Sequence, residues 1–157
     1  MTQQAFLQLC LVLHITGFTM MAGTAIADFT IFRRVGKYLT VDKQKALTIL
    51  EGSAGLMLLI MAGAALLVLS GIGMVFIFKG TVAAMLWFRI KMVVVVSVLI
   101  LGAGVARPAA MKLREALRQN TAGSNDNITS LGKRLRTIGI LQITLFLLVF
   151  VLSIYRF

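Results

Sequence analysis

Apolar residues gather in four long runs, at about 5–27, 47–78, 86–106 and 138–155, and short polar stretches separate them. A helix needs about 20 apolar residues to cross the hydrocarbon of a bilayer. Inside hydrocarbon every backbone N–H and C=O must be paired within the segment, so each run is predicted to be helical. The second run is long enough to tilt or to extend past the lipid. The pattern predicts an all-α fold, an integral membrane four-helix bundle built as a single domain over 1–157. The first run lacks the basic start of a secretory signal, and Asp28 with "FRR" follows it instead of a small-residue cleavage site, so it is expected to be a retained helix.

The polar stretches set the orientation. Arg33, Arg34, Lys37, Lys43 and Lys45 follow the first run, and Arg107, Lys112, Arg114, Arg118, Lys133, Arg134 and Arg136 follow the third. The connection after the second run carries only Lys79, the start "MTQQ" has no charged side chain, and the C-terminal tail has only Arg156. Lys and Arg stay on the cytoplasmic side. Two basic cytoplasmic loops and two outside termini are therefore expected, in a bacterial inner membrane. In the second loop, "RPAAMKLREALRQN" alternates Met111, Leu113 and Leu117 with basic residues behind Pro108. It predicts a short basic helix, either continuing the third span or lying at the interface, and "TAGSNDN" predicts a flexible turn.

Composition agrees with the pattern. The chain is 59% hydrophobic and 13% charged, where soluble domains carry about 25% charge. A net charge of +11 raises nucleic acid as a partner, but the cations lie beside the apolar runs and no aromatic residues interleave with them. The expected partner is the lipid bilayer, with anionic lipid at the basic loops, and no nucleic acid. Four helices also favour a homo-oligomer or partner membrane subunits. The single cysteine, Cys10, excludes an internal disulfide and reads as a small buried hydrophobe.

Ionisable groups within apolar spans are costly and mark candidate sites. His14, the only histidine, stands about 15 Å along the first helix. His14, Gly17, Met21 and Asp28 share one side of that helix, and Gly17 and Gly23 allow a close neighbour. Two roles stay open for His14: a haem or copper ligand, or a histidine hydrogen-bonded to the next helix. Met21 is the one methionine to test as a second ligand, and the other methionines read as core. Lys91 enters the third span one turn after Trp87 on the same face. Trp87 and Arg89 read as interfacial anchors, and Lys91 as a residue turned inward. Asp28 and Glu51, at the basic rim near Arg33, Arg34 and Arg107, are expected in salt bridges. Zinc-type His/Cys spacing, phosphate-binding glycine loops, paired buried carboxylates and Ser-His-Asp sets are absent from the sequence.

"LHITGFTMMAG" in the first span, "LWFRIKMVVVVSVLILG" leading to "ARP" in the third, and the basic approach "LGKRLRTIGILQ" to the fourth resemble the superfamily of HemJ-type protoporphyrinogen oxidases and CopD-like membrane domains. The resemblance covers nearly the whole chain in topology. It implies haem b as cofactor, His14 as the residue that holds the metal, Trp87 as a cofactor-binding residue, Lys91 in its W-x-x-x-K setting as the catalytic residue, and redox chemistry on a porphyrin. The fourth-helix N-E-x-P element of the HemJ type is absent, and "TIGILQ" stands in its place. Two other classes compete with a haem protein. One is a non-enzymatic subunit that packs on partners through its Gly/Ala faces. The other, ranked last, is a copper or small-solute transporter, because the spans carry no proline and Gly63, Gly71 and Gly73 are weak breakers.

Overall fold

The computed structural model describes residues 2–79, 81, 85–119 and 125–154, and they form helices and turns without a strand. Most of the segment read as a flexible turn, and position 155 at the end of the fourth run, lie outside the described residues. Four helices are long and apolar enough to cross a membrane.

Helix α1 (Gln3–Tyr38) has 36 residues, about 54 Å at 1.5 Å per residue. It therefore continues well beyond the apolar run at its basic end. Thr2 caps its start by accepting from the Ala5 N–H at 3.4 Å. Asp42 opens α2 (Lys43–Gly52), accepting from the Lys45 N–H at 2.9 Å. The second apolar run is divided. Helix α2 ends at Gly52, residues 53–55 turn, and α3 (Leu56–Ile77) begins. Two hydrogen bonds fix the break. The Ser53 hydroxyl donates to the Leu50 carbonyl at 2.7 Å, and the Arg114 guanidinium donates to the same carbonyl at 2.8 Å. Side chains thus satisfy a carbonyl that a continuing helix would have used.

Helix α4 (Leu86–Leu99) runs through a π-helical segment at 100–106 into α5 (Arg107–Arg118). Pro108 has no N–H and its ring crowds the preceding turn. The wider π turn lies directly before it, with the Arg107 N–H bonded to the Gly102 carbonyl. The basic helix anticipated after the third run is thus its continuation. Helix α6 (Asn125–Ile154) begins well before the fourth apolar run.

The two ends of the molecule are packed differently. At the basic end α1, α2, α5 and α6 close a dense core around Val35, Leu50, Leu113 and Leu135, all under 2% exposed. Leu113 and Leu117 point into it, while Met111 faces outward. In the apolar half, large hydrophobics face out instead: Phe76 is 78% exposed and Leu58 74%. That inversion is an interaction surface on a scale soluble monomers do not carry. Here the helices form an open arc in the order α3, α1, α6, α4. Helix α1 packs on α3 and α6, α4 packs on α6, and among the described residues α3 and α4 do not pack backbone to backbone.

The rim charges pair differently from the sequence expectation. Glu51 meets Arg118 at 2.8 Å, across the α2–α5 contact. Asp28 faces Arg114 at electrostatic range, without a direct salt bridge. Both partners of the Glu51–Arg118 pair are well exposed, so Glu51→Gln should cost under about 1 kcal/mol. Thermal unfolding in detergent checks this, and a larger loss would mean the pair is screened from water.

A histidine clamp between the first and third helices

Helices α1 and α3 run antiparallel and touch through backbone. A Cβ on Gly17 would lie 2.7 Å from the Gly63 carbonyl oxygen and 2.8 Å from the Leu67 nitrogen. A Cβ on Gly73 would lie 2.9 Å from Cys10 Sγ, which buries the cysteine as expected. The α3 glycines read from sequence as weak helix breakers thus serve as contact surface. Small residues permit this approach between helices.

The close approach sets His14 against α3. Its Nδ1 lies 3.0 Å from Ser70 Oγ, and its Cε1 would lie 3.5 Å from a Cβ on Gly71. Ser70 is 3% exposed, and its hydroxyl donates to the Leu66 carbonyl at 2.5 Å. A hydroxyl has one proton. With the Ser70 proton on Leu66, the pair is satisfied by the tautomer that carries a proton on Nδ1, and the ring also meets the Leu67 backbone. In the neutral form that tautomer has its lone pair on Nε2. This is the arrangement that metal-binding histidines use, one nitrogen donating to the protein and the other left for the ligand.

Lys91 is half-buried on α4, within electrostatic range of the His14 ring. The structure therefore brings together His14 and Lys91, and adds Ser70, which sequence reasoning missed. Its signal was a lone hydroxyl in an apolar run, but only the α1–α3 register gives it a partner. Trp87 sits in the first turn of α4, its Nε1–H donating to Met85 Sδ at 3.2 Å and its ring edge-on to Phe88 at 6.0 Å.

Met21 goes elsewhere. It is 5% exposed, in an apolar cluster with Ala25, Val98 and Phe146, and its side chain lies against Gly63. Seven residues separate it from His14, about 10.5 Å along the helix. Met21 thus packs at the level of Gly63, whereas His14 packs at Ser70 and Gly71, and the side chain of Met21 lies in the core and not beside the imidazole. Among the described residues no three His, Cys, Asp or Glu side chains group as metal ligands. A haem needs no such group from the protein.

Two other polar residues lie inside the bundle. Gln142 stands beside the π segment, its Nε2 3.2 Å from where a Cβ on Gly102 would be. Thr24 is 2% exposed and donates to the Met20 carbonyl at 2.6 Å. Comparison of the chain with family models, with curated proteins and with solved structures finds no match in any of the three.

Proposed function

We propose that this is an integral membrane protein that holds haem b through Nε2 of His14. The observation that carries the proposal is the hydrogen bond between Nδ1 of His14 and Oγ of Ser70, with the Ser70 hydroxyl donating to Leu66. In the neutral Nδ1–H tautomer, Nε2 offers an oriented lone pair in an apolar half-bundle, which is the donor a haem iron takes. Lys91 supplies the cation that a haem carboxylate would pair with. The bound group would supply one-electron redox chemistry, and a porphyrin is the substrate class favoured by the resemblance of the first and third helices to HemJ-type sequences.

The membrane setting rests on the outward-facing hydrophobics and on the cations at one end. By the distribution of Lys and Arg that end is cytoplasmic and both termini are outside, in a bacterial inner membrane.

One observation favours a second role, as a subunit that packs on partner membrane proteins. The backbones of α3 and α4 do not approach one another among the described residues, and a helix from another chain packed there would cover their apolar flanks.

A visible spectrum of the protein purified in mild detergent separates the two. A Soret band that shifts on dithionite reduction, at near one haem per chain, is expected. A colourless protein, even after haem is added, would overturn the haem assignment and leave the subunit role in front.

A further inference from the structure

An apolar groove of about 200 Å³ runs along the outside of the α1–α6 seam, lined by Phe18, Ala22 and Ile26 on one side and by Ile143, Leu147 and Phe150 on the other. Phe18 and Phe150 stack at 6.5 Å and close the end away from the basic residues. The other end leads toward two cations. Arg33 stands seven residues after Ile26 on α1, and Arg136 seven residues before Ile143 on α6. Seven residues are almost two helical turns, so each arginine shares a face with its isoleucine, about 10.5 Å farther along.

The two arginines also stand at one level. Gly139 of α6 packs on Phe29 of α1, and Gly132 packs on Leu39. Arg136 lies between those glycines, and Arg33 between their partners. Both arginines are exposed, and among the described residues neither meets a carboxylate in a salt bridge.

A stripe of this kind has a polar half and an apolar half in the proportions of one lipid. We propose that the α1–α6 seam binds a single anionic phospholipid, its phosphate between Arg33 and Arg136 and one acyl chain in the groove. Two unpaired cations select a negative headgroup, and the wholly hydrocarbon lining selects a chain. The site lies on the opposite flank of α1 from Ser70. It depends on the membrane setting proposed above and not on haem.

The test is native mass spectrometry of the full chain in detergent, incubated with equal amounts of phosphatidylglycerol and phosphatidylcholine. One retained phosphatidylglycerol per chain is expected. A basic residue near an anionic surface contributes about 1 kcal/mol, so the retained ratio should fall about fivefold for each of Arg33→Gln and Arg136→Gln. The same charge change off the seam, Arg107→Gln with Lys112→Gln, should leave the ratio unchanged. Ala22→Trp, which fills the groove, should release both lipids. Equal falls in the two charge-matched variants, an unchanged ratio in Arg33→Gln/Arg136→Gln, or a groove occupied by neutral lipid or a second copy of the chain would overturn the site. A chain that stays dispersed without detergent and binds neither lipid would instead overturn the membrane setting, and the site with it.

Discussion

His14→Ala should remove the Soret band completely while the protein remains folded. The imidazole is the only one in the chain, so no other histidine can replace it at the iron. The structural cost is small by comparison. The variant would lose one hydrogen bond to Ser70, worth about 0.5–1.5 kcal/mol, and Ser70 would keep its bond to Leu66. Haem content and melting temperature should therefore separate, one falling to background and the other by a few degrees. Ser70→Ala provides the graded counterpart. It leaves the ligand and removes only the group that orients it, and such losses weaken metal binding about 10–100-fold. Haem titration into apo-protein reads this directly. Full haem content in His14→Ala would sink the assignment. Unchanged affinity in Ser70→Ala would show that the hydrogen bond serves only to pack the two helices.

Gly17→Ala should destabilise the protein, although alanine is the better helix former by about 1 kcal/mol. Its Cβ would meet backbone atoms, the Gly63 oxygen at 2.7 Å and the Leu67 nitrogen at 2.8 Å. Backbone cannot rotate out of the way as a flexible side chain can, so α1 and α3 must move apart. Overpacking of this kind costs about 1–3 kcal/mol, and Gly17→Leu should exceed that range. Gly23→Ala, on the same helix with nothing within 4 Å of the added carbon, should be neutral or stabilising by up to about 1 kcal/mol. Thermal unfolding of the three variants in one detergent provides the comparison. Equal effects at positions 17 and 23 would show that the crossing is looser than described. Because separation of α1 and α3 also pulls Ser70 from His14, Gly17→Leu should lose haem as well as stability.

The long helices were legible in the sequence because each contains an unbroken apolar run. So was the short basic helix after the third run, although its pattern groups Met111 with Leu113 and Leu117, and only the two leucines turn inward. The division between α2 and α3 was not legible. Its apolar run tolerates glycine and serine, and the group that secures the break, Arg114, comes from 64 residues away. The face of α1 was legible, depth along it less so. His14 and Met21 share a side, yet their axial separation sends one to Ser70 and the other into the apolar cluster of Val98 and Phe146. The partner of His14 depends on the register between two helices. Neither helix encodes that register alone, because it arises where Gly17 and Gly63 let the backbones meet.

The open arc also has a consequence for the order of assembly. Ribosomes deliver α1 first, and α3 follows to a partner already present. Helix α4 arrives next, yet its close packing is on α6, which is synthesised last. In the proposed membrane setting, the third hydrophobic segment then waits in the bilayer with most of its inward side uncovered until the final helix emerges. Nascent chains stalled before position 125 should hold α1 and α3 as a protected pair and leave α4 open to chaperones and proteases.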